Sequence, residues 1–191
     1  MTSPNLLHMR AAREQLKNNY GTAFLVSLIV VVISSLPEIF NTEKLRIISQ
    51  ILIGPISLGF TIYALNVFRQ NNPTFNNVFD GFNTFLKAFL VYLLTVITVV
   101  LGLILLIVPG IILGLGLSMA YFVMVDKPEL GVIDTLKESW RIMKGNKTKF
   151  FGLTLRFVPW IILGLLCLGV GILFVLPWLQ VASASFYEKI K

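Results

Sequence analysis

The sequence predicts an all-α integral membrane protein with six transmembrane helices and three amphipathic surface helices, one ahead of each helical hairpin. Three observations carry this. From Ala88 to Val125 the chain runs 38 residues without an Asp, Glu, Lys, Arg or His, whereas a bilayer core of about 30 Å needs only ~20 apolar residues per crossing. Charged residues make up 13% of the chain and hydrophobic ones 56%, with mean hydropathy +0.83, against roughly 25% charged in soluble domains. Lys and Arg are also strongly biased to one set of loops. At 191 residues the chain suits one membrane domain, residues 1–191, without a separate soluble one.

The first apolar segment is Tyr20–Leu36. Arg10, Arg13 and Lys17 precede it, as in a signal peptide. Glu14 interrupts that region, and no small-residue cleavage site follows Ser34-Ser35-Leu36-Pro37, so an uncleaved span is expected. The others are Ile47–Phe68, Leu86–Val108, Gly110–Val125, Phe150–Leu168 and Gly171–Tyr187. Val108-Pro109-Gly110 divides the long uncharged run, and Cys167 to Gly171 joins the last pair. Such uncharged turns must be buried or sit at the interface, because bare backbone is not tolerated in lipid.

Orientation follows from the loops. Arg10, Arg13, Lys17, Arg69, Lys87, Lys127, Lys137, Arg141, Lys144, Lys147, Lys149, Lys189 and Lys191 share one side, against Lys44 and Arg46 on the other. Thirteen against two places both termini in the cytoplasm and the protein in the plasma membrane. The net charge of +7 is then a basic collar for anionic lipid headgroups rather than a nucleic-acid surface.

Each hairpin is preceded by an amphipathic segment. Asp126-Lys127-Pro128-Glu129 reads as a capping box, with Asp126 at the N-cap. Leu130, Ile133, Leu136, Trp140 and Met143 follow at helical spacing, and Gly145 is the stop. Trp140 suits an anchor at the headgroups. In the second loop Asn72-Pro73 starts a helix with Phe75, Val78, Phe79, Phe82 and Phe85 on one face. At the N-terminus Ser3-Pro4 starts another, with Leu6, Met9 and Leu16 on one face and Arg10, Arg13 and Lys17 as its polar groups. Pro55, Pro109 and Pro177 fall near the starts of the even-numbered spans. These recurrences define three pseudo-repeats, approximately residues 3–68, 72–125 and 126–191, expected to pack about a pseudo-symmetry axis.

Val108-Pro109-Gly110-Ile111 through Ala120-Tyr121, with Glu138-Ser139-Trp140 and Met143-Lys144-Gly145-Asn146 after it, resembles a domain-of-unknown-function family of integral membrane proteins from Gram-positive bacteria. That family is distantly similar to the membrane domain attached to some glycerophosphodiester phosphodiesterases. The resemblance implies a membrane fold and carries over no catalytic residue.

Candidate sites are few. Arg156 is the formal charge well inside a span, either snorkelling to the interface or marking an anion or lipid-headgroup contact with Lys144, Lys147 and Lys149. No carboxylate lies in any span, which argues against proton-driven pumping. Gln50, Ser57, Thr61, Asn66, Thr95, Thr98, Ser118, Thr154, Gln180, Ser183 and Ser185 lie within the spans. They serve either helix–helix hydrogen bonding or the lining of a polar cavity. Gly110, Gly114 and Ser118 recur at the spacing of close helix packing, and Pro159 should kink the fifth span. His8 is expected on the surface helix without a partner, and Cys167 near the outer turn. No catalytic, cofactor or metal motif is present. The expected function is a non-enzymatic binder of a lipid, a peptide or a membrane partner, in an accessory or immunity-type role. The alternative is a small transporter or channel for a lipid, amphipath or small solute. A cavity at the axis lined by the polar span residues would favour transport, and a packed axis would exclude it.

Overall fold

The computed structural model describes residues 4–40, 43–167 and 169–191. Ser3 and Leu168, expected at a helix start and in an outer turn, lie outside them. Among the described residues the chain is all-helical, without a strand. Helix α1 (Pro4–Leu16) meets α2 (Tyr20–Phe40) at a bend of 105°. Helix α3 (Glu43–Arg69) follows, then α4 (Asn77–Asp80), which continues through a 3₁₀ turn into α5 (Phe85–Leu105). Helices α6 (Ile107–Leu117) and α7 (Ala120–Asp126) return, α8 (Val132–Ile142) lies between hairpins, and α9 (Lys147–Leu155), α10 (Val158–Leu166) and α11 (Ile172–Ile190) complete the chain.

Four stretches are long and apolar enough to cross a membrane: Glu43–Arg69, Asn77–Leu105, Ile107–Asp126 and Lys147–Leu166. A fifth is added if the bent α1–α2 pair counts as one. Helix α3 is the hub, with 61% of its most apolar window buried against 17% for α4–α5 and for α9–α10. Ile104, Leu105, Ile107 and Leu166 are each 70% or more exposed. An apolar surface of that extent is compatible with helices that face lipid.

Small residues set how closely α3 can be approached. A Cβ on Gly59 would overlap the Val78 carbonyl, one on Gly81 the Pro55 carbonyl, and one on Gly54 would lie 2.8 Å from the Ala88 carbonyl oxygen. The segment from Val78 to Phe89 therefore lies backbone to backbone on α3. Helices α5 and α6 meet likewise at Gly102 and Gly110. Their turn is a single extended residue, Leu106, whose N–H donates to the Gly102 carbonyl (3.0 Å), while Gly110 N–H returns to the Leu106 carbonyl (3.3 Å). The tip thus satisfies its own backbone, as lipid requires.

Several expectations are corrected. The central turn is at Leu106, not Val108-Pro109-Gly110, because Pro109 is tolerated in the first turn of α6. The second-loop helix begins at Asn77 rather than Asn72-Pro73. Gln70 and Asn72 take positive φ (57° and 43°), and that reversal consumes the residues that would have started it. Pro55 lies in the middle of α3, since the helix begins at Glu43 and absorbs Lys44 and Arg46. Helix α8 is capped at Gly131, not Asp126, and buries Thr135, Ser139 and Ile142, whereas Ile133 is 60% exposed. Its buried face is polar because Ser139 Oγ donates to the Gly116 carbonyl at 2.9 Å. On its other side the Arg141 guanidinium, then the Lys127 ammonium, hold the Glu138 carboxyl down to about 2. Gly145 takes the left-handed turn (φ 78°) expected of the stop after α8.

Helix α1 packs across α11. Trp178 Nε1 donates to the Met9 carbonyl at 2.8 Å, and Met9, Ala12 and Leu16 are buried. His8, expected on the surface without a partner, is 7% exposed. Its Nδ1 lies 2.8 Å from Ser185 Oγ and its ring stands edge-on to Phe186. The correction has a simple cause: α1 docks on protein along the His8 side of the helix.

Candidate functional site

The polar residues of the spans do not scatter. Ser57 and Thr61 of α3, Ser118 at the α6–α7 break, Thr154 of α9, and Gln180 and Ser183 of α11 line one cavity of about 320 Å³. Phe60, Tyr121, Phe122 and Phe150 form its aromatic walls. Helical periodicity brings each set inward: Ser57 and Thr61, and Phe150 and Thr154, are one turn apart.

The hydroxyl protons are largely spent on the helices themselves. Thr61 Oγ1 donates to the Ser57 carbonyl (2.8 Å), Thr154 Oγ1 to Phe150 (3.1 Å), Ser183 Oγ to Leu179 (2.9 Å) and Ser118 Oγ to Leu115 (2.8 Å). Bonds of this kind leave the oxygen lone pairs as acceptors. Gln180 Nε2 donates to Thr61 Oγ1 at 3.0 Å, across α11 to α3. Among the described residues the Tyr121 hydroxyl is buried and makes no hydrogen bond, so its proton is the donor without a partner. An orphaned polar group of this kind costs roughly 1–3 kcal/mol unless something meets it. The lining is uncharged and interleaves acceptor oxygens with aromatic rings. It can hold an amphipathic molecule by hydrogen bonds from the guest and by ring contact.

Three of its four walls are tied at one end by an ion cluster. Arg69, ending α3, donates through Nη2 to Asp126 (2.6 Å), ending α7, and through Nε to Glu188 (2.7 Å) of α11. Lys191 Nζ bridges Asp126 (3.0 Å) and Glu188 (2.8 Å), and the Tyr187 hydroxyl donates to Asp126 at 3.2 Å. This occupies the carboxylate expected to cap α8. It was invisible in the sequence, because Arg69 lies 57 and 119 positions from its two partners.

The singled-out residues are dispersed. Arg156 sits at the break between α9 and α10, three residues before Pro159 and outside the cavity lining. Lys147 Nζ lies 3.0 Å above the ring of Trp140, which is 38% exposed and covers Gly116. Lys149 caps toward Asn146 Oδ1 (3.1 Å), and its carbonyl accepts from Asn5 (3.2 Å). Lys144 is exposed. Gly110 makes the close approach expected of it. A Cβ on Gly114 would meet the Val99 side chain at an ordinary 3.7 Å, and Gly116 takes the tight contact instead. Among the described residues no group of His, Cys, Asp and Glu could hold a metal ion.

A family model described as "Protein of unknown function (DUF975)" matches residues 95–191, just over half of the chain. The chain belongs to that family. The match takes in the cavity walls from α6–α7, α9 and α11 but not α3. No curated protein and no solved structure matches the chain.

Proposed function

We propose that this DUF975 protein is a non-enzymatic, multi-pass plasma-membrane protein that binds a neutral, amphipathic small molecule within its helical bundle. The observation that carries the reading is the cavity, where six of the eleven polar span residues converge with four aromatic rings. Spans that needed polar residues just for mutual adhesion would spend them in pairs across helix contacts. Here Gln180 with Thr61, Gln50 with Tyr92 and Ser185 with His8 are such pairs, whereas Ser57, Ser118, Thr154 and Ser183 line the cavity without a partner on another helix. An accessory or immunity-type role against a membrane-active compound is one use of such a binder. We further infer, from the resemblance in sequence alone, a Gram-positive source and a relation to the membrane domain attached to some glycerophosphodiester phosphodiesterases.

Within this reading the chain crosses the bilayer six times in three pseudo-repeats, with both termini cytoplasmic. Transport of the same guest is the second reading. It is favoured by the same polar-lined cavity, which a packed bundle interior would have excluded, and by Ser118, which lines it where α6 breaks from α7. Interrupted helices beside a midplane cavity are how carriers hold and release substrates.

Native mass spectrometry of the protein taken from its own membranes in mild detergent tests the binding. The wild type should retain a bound mass in the range of a small amphipath. Thr154→Leu with Ser183→Leu, which fills the cavity, should lose it. An identical retained-mass spectrum in both proteins refutes the reading.

A further inference from the structure

A second cavity, of about 340 Å³, opens between α1, the start of α9 and the end of α11. It is lined by Asn5, His8, Asn146, Lys149, Lys189, Phe186 and Ile190, and no carboxylate is among them. We propose that this is a binding site for a phosphate group, carried either by an anionic lipid headgroup or by a free phosphate compound.

Charge accounting over the molecule supports it. Of the described acids from Asp126 onward, all but Glu129, whose charge acts on Lys87, are engaged in ion pairs elsewhere. Asp126 and Glu188 hold Arg69 and Lys191, Glu138 holds Lys127 and Arg141, and Asp134 lies 3.5 Å from Lys137. Lys149 has the neutral Asn146 amide as its side-chain partner, and Lys189 has no ion-pair partner among the described residues. Two ammonium groups therefore share a recess with no counter-charge lining it. Holding like charges together is unfavourable unless an anion enters.

The neutral groups are those a phosphate uses. Asn5 and Asn146 each spend one amide N–H on a backbone carbonyl, of Lys149 and Ile142, and keep the second, and Asn146 stands at the N-cap of the nine-residue α9 without a side-chain cap bond. The first backbone N–H groups of a helix favour an anion, and here they reinforce the lysines. His8 is the more telling member. It is 93% buried by its 7% exposure, its Nδ1 is bound to Ser185, and its Nε2 makes no hydrogen bond among the described residues. Burial, and then the Lys189 charge, hold its imidazole below the usual histidine range. At neutral pH it is an uncharged ring able to donate from one nitrogen. Phe186 and Ile190 give the recess an apolar floor, which suits a phosphate with a carbon substituent. This site is separate from the intramembrane cavity. Phe186 lines one and Phe150 the other, with ring centroids 5.2 Å apart.

The test uses the full-length protein in neutral detergent at constant ionic strength, with melting temperature as the readout. Inorganic phosphate and glycerol 3-phosphate are titrated against chloride. In parallel, nanodiscs of phosphatidylglycerol or phosphatidylcholine are compared by native mass spectrometry for lipid retained on the protein. A saturable stabilisation by the soluble phosphates supports the site and assigns it to free compounds. Selective retention of phosphatidylglycerol without that response supports it and assigns it to the headgroup. The double variant Lys149→Gln/Lys189→Gln should weaken either signal about tenfold or more. Lys44→Gln/Lys137→Gln removes the same charge elsewhere and should leave it unchanged. Asn146→Asp keeps a capping residue on α9 and puts a carboxylate in the recess. It should produce the same loss, which covers the case of a double variant that does not fold. No response to either soluble phosphate together with no preference between the lipids overturns the proposal, as does equal loss in the Lys44/Lys137 control.

Discussion

Asp126→Asn separates two accounts of one residue. If Asp126 capped the surface helix, Asn would serve as well, since the two are about equal at an N-cap. In the structure the carboxylate accepts from Arg69, Lys191 and Tyr187 and joins the ends of α3, α7 and α11. Asn keeps one neutral acceptor and loses the charge. A hydrogen bond to a charged group contributes about 1.5–3 kcal/mol against about 0.5–1.5 for a neutral one. Two cations are involved, so roughly 2 kcal/mol is at stake before correction. The Lys191 arm is 39% exposed and must be discounted for solvent, while the Arg69 and Asp126 side chains are 28% and 17% exposed. Both cations retain Glu188, which rules out the larger cost of an abandoned buried charge. The expected loss is about 1.5–2 kcal/mol, or ~10–30-fold in the unfolding equilibrium. Reversible unfolding in mixed micelles, followed by tryptophan fluorescence, measures it. Combining Asp126→Asn with Arg69→Gln should cost less than the sum of the two, because the residues share one interaction. A change under about 0.5 kcal/mol in the single variant would falsify the cluster account.

Two further outcomes are expected. Gly59→Ala drives a Cβ into the Val78 carbonyl and should cost about 2–3 kcal/mol. Gly114→Ala meets a side chain at 3.7 Å and should be neutral or gain up to ~1 kcal/mol of helix propensity; the same micelle unfolding compares them, and equal effects would undo the packing argument. For topology, Cys167 is the sole cysteine and is exposed. A membrane-impermeant maleimide should label it on intact cells, whereas Lys189→Cys in a Cys167→Ser background should label after permeabilisation alone. The reverse pattern would invert the proposed orientation.

The membrane character was legible because hydrophobicity is a summed property. Thirty-eight consecutive uncharged residues have one comfortable solvent, whatever they pack against. Helix existence was legible for the same reason, and so was the stop at Gly145, where a local backbone angle demands glycine. The polar span residues could be gathered from sequence, but not the fact that six of them meet. Which face a helix buries depends on its neighbours, so α8 hides Thr135 and Ser139 and leaves Ile133 outside.

Sequence by itself thus determined that the chain is helical, with segments long and apolar enough to cross a membrane, and supplied an inventory of polar groups. Tertiary structure alone decided their pairing. It turned Asp126 from a cap into a clamp, buried His8 against Ser185, and moved the tight packing from Gly114 to Gly116. The physical reason is range. Hydropathy and backbone preference act within a few residues, whereas hydrogen bonds, ion pairs and cavities belong to groups far apart in sequence that meet once the helices have packed.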